Sequence, residues 1–317
     1  MDFQKNNILL SIVIPVYNSE KTIKTVVQKI KETLSAKIEY EVILVNDGSK
    51  DNSYIHCIDL YKKHSFVKFI NLSKNFGQHN AILAGLRFAK GDCIVFMDDD
   101  LQTPPEEIWK LINKIKEGYD VVYANYIIKQ HDRFKTFCSK INNIIADLLL
   151  KKPRNINITS YFIIKKYLAS EIINYVGPYP YLGGLVLRST ENIGKVDIMH
   201  CKRKNDRSNY SFRSLLSLWF NGFTNFSVKP LRISFFLGVI CSLVGFIFSI
   251  SLVIRKIIDP RVVLGWTSTI VAILLFSGIQ LILIGLLGEY IGRIFLSQNK
   301  QPQYVIKEMY NIDDNKN

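Results

Sequence analysis

The sequence lacks the cysteine patterns of zinc sites and disulfide frameworks. Its five cysteines are an odd number, and no two are spaced as Cys-x-x-Cys. The pairs His56-Cys57 and His200-Cys201 are isolated neighbours without the spacing of metal ligands. We therefore expect reduced thiols, as in a cytosolic protein.

Two further patterns are missing. No loop reads as Gly-x-Gly-x-x-Gly or as a P-loop, which argues against a dinucleotide cofactor and an ATP phosphate cradle. The first seven residues are polar and charged, and the apolar run that follows is short and closes at Pro15. A cleaved signal peptide is therefore not expected.

Net charge is absent from the first part of the chain and concentrated in the middle. Residues 1–128 carry 16 Lys/Arg and 16 Asp/Glu, residues 129–232 carry 18 against 6, and residues 233–317 carry 7 against 5. The middle part therefore has a net charge of +12. Because it precedes two long apolar runs, an anionic membrane surface is a more economical partner for it than nucleic acid.

Strands and helices alternate along the first hundred residues. Apolar, β-branched runs predict strands at 8–16, 40–45, 66–72 and 93–97, and helical patterns cover 19–34, a stretch up to about residue 64, and 81–89. Ser19 is the expected N-cap of the first helix, and the third is expected to end at Gly91. This alternation predicts an α/β fold with a mostly parallel sheet, with the loops 15–20, 46–51 and 98–102 at one edge.

An acidic triplet follows the fourth predicted strand. Alternate residues of an extended segment point the same way, so Asp98 and Asp100 can share one hard cation while Asp99 faces elsewhere. Gln102 continues the same alternation. Taken alone, the triplet fits a solvated acidic turn equally well.

Two charge-free runs are long enough to cross a membrane. Residues 233–254 and 262–288 contain 22 and 27 residues, and seven residues connect them. Such a hairpin leaves both flanking parts on one side. The basic block before it indicates the cytoplasmic side, although Arg255, Lys256 and Arg261 in the connection argue the other way. The stretches 134–150 and 211–226 have the composition of helices lying in the membrane interface, and packing on the sheet is the alternative.

Several motifs together resemble a known family. They are PVYN at 15–18, VNDGS at 45–49, SKNFGQHNAILAGL at 73–86 and MDDDLQTPPEEI at 97–108, followed by SNY at 208–210, NFS at 225–227, PLR at 230–232 and LGEYIGR at 287–293. In this order and spacing the chain resembles family 2 glycosyltransferases of the GT-A fold, and within them the polyprenyl-phosphate glycosyltransferases. That subgroup includes bactoprenol glucosyltransferases and dolichyl-phosphate mannose synthases.

The resemblance implies roles for particular residues. Asp98, Asp100 and Gln102 would hold Mg²⁺ or Mn²⁺ at a donor diphosphate, and Asp98, Asp100 and Arg203 would be catalytic. The nucleotide would be bound by five residues: Pro15, Tyr17, Glu20, Asp47 and Asp99. The acceptor phosphate would be bound by Lys135, Ser139, Arg203 and Arg207. For Asp47 the Asn-Asp-Gly-Ser sequence also suits a simple turn, and for Tyr17 packing is the alternative.

One departure from the family bears on mechanism. Some relatives place an Asp in a GDF-like segment where this chain has Thr159-Ser160-Tyr161-Phe162. Because a phosphate nucleophile is largely ionised at neutral pH, a general base is optional. We expect positioning and charge neutralisation to carry the reaction, with inversion at the anomeric centre implied by the resemblance.

These observations predict four parts: a nucleotide-sugar-binding GT-A core at 1–128, an acceptor-binding and juxtamembrane part with amphipathic helices at 129–232, two transmembrane helices at 233–288 and a cytoplasmic tail at 289–317. The predicted function is transfer of one sugar from a nucleotide-sugar, expected to be a UDP-sugar, to undecaprenyl phosphate. The enzyme would lie in the cytoplasmic membrane as a multi-pass protein, with its catalytic domain facing the cytoplasm. Relatives include tetramers, so a homo-oligomer is implied, although the sequence does not fix its size.

Two alternatives remain. A family 2 transferase acting on a lipid or polysaccharide hydroxyl would normally carry a QxxRW motif and, for a secreted polymer, more membrane spans, and neither is found. An inactive membrane scaffold with a relic GT-A domain is the other alternative. The complete acidic triplet and nucleotide loops count against it.

Overall fold

The structure, a computed structural model, describes residues 8–35, 37–127, 156–177, 180–199, 229–258, 265–299 and 302–312. Its strands are β1 (Leu9–Val16), β2 (Glu39–Asn46), β3 (Val67–Leu72), β4 (Cys93–Phe96), β5 (Val121–Ile127), β6 (Phe162–Lys165), β7 (Ile193–Met199) and β8 (Ile306–Tyr310). Its α-helices are α1 (Ile23–Leu34), α2 (Ser53–Lys63), α3 (Gln78–Leu86), α4 (Ile108–Lys116), α5 (Lys166–Ile173), α6 (Leu182–Ser189), α7 (Lys229–Ile258) and α8 (Trp266–Gln298).

The strands form one mixed sheet in the order β7-β5-β6-β4-β1-β2-β3-β8. Neighbours among β1 to β4 run parallel, as do β5 and β7, whereas β6 is antiparallel to β4 and β5, and β8 is antiparallel to β3. The expectation of a mostly parallel sheet is therefore confirmed, because six of the eight strands run in one direction and β6 and β8 run against them. The alternation recognised in the sequence ends at β4, and the structure continues it through α4 to β5. It could not predict the direction of β6 or β8.

The core lies on both faces of the central strands. All of β1 after Leu9 is buried, which explains why its sequence is a nearly continuous apolar run. Helix α1 buries Ile23, Val26, Val27 and Ile30, and this spacing places one apolar stripe of the helix against the sheet.

Two helix boundaries differ from the sequence prediction. Helix α1 begins at Ile23. The Ser19 carbonyl accepts the backbone N–H groups of Thr22 and Ile23, and the Ser19 hydroxyl donates to Asp99. Ser19 is therefore not a side-chain N-cap. Helix α3 begins at Gln78, earlier than expected, and ends at Leu86. Gly91 does not end it; its N–H instead donates to the Ser11 hydroxyl at 2.8 Å.

The sheet does not stop at residue 128. Strands β6 and β7 belong to it, and β8, which follows α8 along the chain, pairs with β3. One compact unit comprises residues 1–215 and 301–317, and a second comprises residues 216–300. The first unit therefore includes residues from the predicted acceptor-binding part and from the predicted tail.

The second unit contains the two longest helices, α7 with 30 residues and α8 with 33. Within the described part of the chain, one helical segment, Phe276–Gln298, is long and apolar enough to cross a membrane. Helix α7 contains a shorter apolar segment, Gly238–Phe248. Both predicted spans therefore fall mainly on helices, of which one meets the length and composition of a membrane span.

Candidate functional site

Three loops meet where β1, β2 and β4 end. The N–H of Asn18, after β1, donates to the Ser49 hydroxyl at 3.1 Å, and the Lys50 N–H, after β2, donates to Asn18 Oδ1 at 2.9 Å. The N–H of Tyr17 donates to Asp99, after β4, at 3.2 Å. Because parallel strands end at the same edge, these polar loops are brought together as the sequence predicted.

Asp47 is buried directly after β2 and binds a fourth loop, the one that precedes α3. One carboxylate oxygen accepts the Phe76 N–H at 2.7 Å, and the other accepts the Gly77 N–H at 2.9 Å. Burial raises the pKa of Asp47, and the two backbone N–H groups lower it in opposition. Asp47 thus fixes the segment that leads into α3.

Gly48 allows this close packing. Its φ is +65°, and a Cβ at this position would lie 2.5 Å from the backbone nitrogen of Asn75. An L side chain would therefore meet both backbone strain and a steric clash.

Asp98 is held through both carboxylate oxygens. Gln78 Nε2, at the start of α3, donates to Oδ1 at 2.8 Å, and the Ser160 hydroxyl donates to Oδ2. Sequence reasoning assigned no role to either donor. Gln78 stands within a recognised motif, whereas Ser160 is 62 residues away along the chain and no local pattern links it to Asp98.

Asp99 faces different partners from Asp98. It accepts hydrogen bonds from the Ser19 hydroxyl and from the Tyr17 N–H. Burial raises the pKa of Asp99 to about 7, the Ser19 hydrogen bond lowers it, and the neighbouring charges of Asp98 and Asp100 raise it.

Asp98 and Asp100 both act on Tyr126, near the end of β5. Burial raises the pKa of Tyr126, the two negative charges raise it further, and hydrogen bonds with Thr103 and Ser160 lower it. One tyrosine thus lies within electrostatic range of both carboxylates.

The extended alternation does not reach Gln102. Leu101 has a φ of +60°, so the backbone turns there, and Asp100 Oδ1 accepts the Gln102 N–H at 3.0 Å. Gln102 therefore follows a turn closed by Asp100, and its position could not be deduced from strand periodicity.

The remaining candidates on β1 and its loop have distinct environments. Pro15 is buried within β1 opposite Val45, and the Tyr17 side chain is 38% exposed at the edge of the site. Glu20 Oε2 accepts both the backbone and the side-chain N–H of Asn52 at 3.2 Å, which ties the first loop to the second.

Some predicted residues lie outside the described residues. These are the acceptor-phosphate set Lys135, Ser139, Arg203 and Arg207, and both predicted interfacial helices, 134–150 and 211–226. Within the described residues, no group of three or more His, Cys, Asp or Glu side chains is arranged to hold a metal ion.

Comparisons with known proteins identify the family. Residues 11–173 match the family described as "Glycosyl transferase family 2", and residues 229–294 match the "GtrB C-terminal hairpin". The chain is 36% identical to the uncharacterized glycosyltransferase YkcC of Bacillus subtilis (strain 168), covering 97% of this chain and 96% of that protein. It is 33% identical to the undecaprenyl-phosphate 4-deoxy-4-formamido-L-arabinose transferase of Proteus mirabilis (strain HI4320), covering 98% of this chain and 96% of that protein.

Solved structures share the fold at low sequence identity. A glucosyl-3-phosphoglycerate synthase from Mycobacterium tuberculosis, in complex with Mn²⁺, UDP and glucosyl-3-phosphoglycerate, gives a TM-score of 0.53 at 17% identity. The match covers 67% of this chain and 76% of that one. The described sheet is thus a GT-A-like α/β fold. With a family match over half of the sequence and relatives above 30% identity along nearly all of it, the chain belongs to glycosyltransferase family 2.

Proposed function

We propose that this protein transfers a single sugar from a UDP-sugar to undecaprenyl phosphate, with inversion, at the cytoplasmic face of the membrane. One observation carries the proposal. The loop 98–102, which carries the acidic triplet, is hydrogen-bonded to the loop 15–20, and that loop is hydrogen-bonded to the loop 46–51 at the same sheet edge. The chain is similar along nearly its whole length to a protein named as an undecaprenyl-phosphate sugar transferase.

The nucleotide would occupy the edge formed by the first two loops. Tyr17 offers an exposed aromatic ring there, and Asp47 and Asp99 offer acceptors for base and ribose groups. Pro15 and Glu20 would shape this edge, since Pro15 lies within β1 and Glu20 binds Asn52. The solved synthase with UDP and Mn²⁺ shares this fold, which supports the choice of donor class.

The acidic loop has the donor chemistry for Mg²⁺ or Mn²⁺. Asp98 and Asp100 carry hard oxygen ligands, and the charges of both raise the pKa of Tyr126. Gln102, whose backbone N–H bonds Asp100, carries an amide oxygen. These three residues would hold the ion. When bound, it would neutralise the charge of the diphosphate leaving group.

The chain's own residues would supply positioning. Gln78 and Ser160 orient the Asp98 carboxylate through its two oxygens, so the carboxylate has one preferred orientation at the sheet edge. The attacking phosphate is already ionised, so Ser160 need not remove a proton. A single displacement at the anomeric carbon would invert its configuration.

The acceptor would be bound by the basic middle part of the chain. Lys135, Ser139, Arg203 and Arg207 combine cationic and hydroxyl donors, which suit a phosphate group, and Arg203 would also stabilise charge during transfer. The net charge of +12 over residues 129–232 would draw this region to an anionic membrane surface.

The sheet supports a membrane hairpin. Strand β8 follows α8 in sequence, yet it pairs with β3, which precedes both long helices. If α8 crosses the membrane once, the chain must cross a second time to return β8 to the same sheet. We therefore propose that α7 and α8 both cross and that the two ends of the pair face the cytoplasm.

Thermal-shift measurements test the donor assignment. Detergent-solubilised protein would be screened against UDP-, GDP- and dTDP-sugars, with and without Mn²⁺. We expect one UDP-sugar to raise the melting temperature more strongly when Mn²⁺ is present. If no nucleotide-sugar binds in a metal-dependent way, the inactive-scaffold alternative is favoured and the proposal fails.

A further inference from the structure

The segment that follows α8 is hydrogen-bonded to the side of the sheet that contains β2 and β3. Strand β8 pairs with β3, and the Ser73 N–H donates to the Val305 carbonyl at 2.9 Å. The Asn311 side chain donates to the carbonyls of Ser65 and Val67 at 2.7 and 3.0 Å. This segment therefore forms the edge strand of the sheet, and it is hydrogen-bonded to β3 and to residues on either side of β3.

Within β8, Glu308 gathers several donors. Its Oε2 atom accepts the Tyr54 hydroxyl at 2.8 Å, Asn71 Nδ2 at 3.2 Å and the Tyr310 hydroxyl at 3.4 Å. Tyr54 is in the first turn of α2 and Asn71 is near the end of β3, so one carboxylate oxygen joins both elements. The hydrogen bond from Tyr54 contributes most to lowering the pKa of Glu308, which favours the charged carboxylate.

A hydrogen-bonded chain leads from Glu308 to the loop after β2. Asn71 Oδ1 accepts Asn46 Nδ2 at 2.8 Å, and Asn46 Oδ1 accepts the Ser49 N–H at 3.3 Å. The two asparagines are only 7% and 3% exposed. Because buried amides must be satisfied within the protein, each fixes the orientation of the next.

The direction of this chain is set at Glu308. A carboxylate only accepts hydrogen bonds, so Asn71 must present its NH₂ group to Glu308 and its oxygen to Asn46. Asn46 must then present its oxygen to Ser49, and the Ser49 hydroxyl in turn accepts the N–H of Asn18. Both loops at the site edge are thereby coupled to β8.

We propose that Glu308 is a positioning residue for donor binding: through Asn71 and Asn46 it fixes the loop 47–52 in the conformation that binds the nucleotide. This inference rests on the proposed function, because it assigns the nucleotide to that edge. It assigns a role in donor binding to a residue that follows α7 and α8 along the chain. Glu308 would act on affinity for the nucleotide without touching it.

Calorimetric titration of UDP in the presence of Mn²⁺, on the full-length protein in detergent, tests this role. Glu308→Ala should weaken binding about tenfold, equivalent to about 1.4 kcal/mol. Lys62→Ala is the control, since Lys62 is exposed on α2, and it should leave the affinity unchanged. The KM for the donor should rise in Glu308→Ala while the KM for undecaprenyl phosphate stays constant.

A pair of substitutions tests the direction of the hydrogen bonds. Asn71→Asp alone sets two carboxylates against each other and should weaken UDP binding about tenfold or more. Adding Glu308→Gln to Asn71→Asp supplies an amide donor at position 308. The carboxylate at position 71 can accept from this donor and from Asn46, so the double variant should regain most of the affinity. A purely structural role predicts no such rescue. The rescue also keeps the test valid if Glu308→Ala fails to fold.

The outcomes separate this inference from the proposed function. If the wild-type protein binds no nucleotide, the proposed function fails and this role with it. If the wild type binds UDP and folded Glu308→Ala binds it equally well, this inference alone is overturned. Absence of rescue in the double variant, with Asn71→Asp weakened, also overturns it.

Discussion

Ser160 donates a hydrogen bond to the carboxylate of Asp98, across 62 residues of chain. Gln78 donates to the other oxygen of the same carboxylate at 2.8 Å. The serine precedes β6 and the glutamine begins α3, so two separate parts of the fold converge on one side chain. Asp98 thus has an orientation fixed by tertiary structure, which suits a ligand that must meet a diphosphate in one geometry.

Removing the Ser160 hydroxyl should slow the reaction without unfolding the protein. A hydrogen bond to a charged group contributes roughly 1.5–3 kcal/mol, so Ser160→Ala should lower kcat/KM about tenfold or more. Ser170→Ala is a matched control, since Ser170 is exposed on α5 and bonds only a helix carbonyl in the described structure. Initial rates of sugar transfer would measure both, and an unchanged rate for Ser160→Ala would contradict the positioning role.

The two outer carboxylates of the triplet should be essential. Asp98→Ala and Asp100→Ala each remove a proposed ligand of the divalent ion, and we expect transfer to fall by at least about a thousandfold, as when charge stabilisation is lost. Asp59→Asn, at a surface ion pair with Lys24, should remain active. Radiolabelled sugar in lipid extracts gives the measurement. Turnover retained in either alanine variant, with the protein still in the membrane, would refute the metal assignment.

His79 should make the folded protein less stable at acidic pH. Burial lowers the pKa of His79 to about 4, and the ring of Tyr181 packs edge-on against it. The unfolded chain takes up the proton near pH 6.5 and the folded protein does not, so stability falls as the pH falls below 6.5. Between pH 7 and pH 5 this loss is about 2 kcal/mol.

Replacing the titrating ring isolates this effect. His79→Asn keeps a polar group of similar position but binds no proton. Melting temperatures measured from pH 7 to pH 5 should therefore decline less steeply in His79→Asn than in the wild type. Parallel declines in the two proteins would show that His79 is not the group responsible.

Gly48 should tolerate no side chain. Gly48→Ala combines a positive φ with a contact of 2.5 Å to the Asn75 nitrogen, so it should reduce both stability and nucleotide affinity. Gly118→Ala separates the two causes, because Gly118 has a φ of +108° and open space around the added Cβ. We expect a loss of about 1 kcal/mol in Gly118→Ala and a larger one in Gly48→Ala. Equal losses in thermal unfolding would show that the contact with Asn75 is not important.

The sequence allowed much of the fold near the site to be predicted. Strands β1 to β4 were recognisable because their buried runs are continuous and end at polar loops, and the gathering of those loops follows from parallel pairing alone. Asp98 and Asp99 have different hydrogen-bond partners, although β4 ends at Phe96, before both residues.

Other features depend on contacts that no local pattern encodes. The turn at Leu101, which ends the alternation before Gln102, is closed by the hydrogen bond from the Gln102 N–H to Asp100, and strand periodicity does not predict it. The hydrogen bonds that Ser160 donates to Asp98 and Asn71 donates to Glu308 join residues 62 and 237 positions apart. The return of β8 to β3 was missed because a short strand after a long apolar helix resembles a polar tail.

The lipid product formed from undecaprenyl phosphate tests the central claim most directly. Purified protein would be incubated with undecaprenyl phosphate, Mn²⁺ and the UDP-sugar selected by thermal shift, and the lipid would be analysed by mass spectrometry before and after mild acid. We expect the mass of one sugar residue to be added through a phosphate linkage that mild acid cleaves. No product with any nucleotide-sugar that binds, or a product from which mild acid does not release the sugar, would contradict the account.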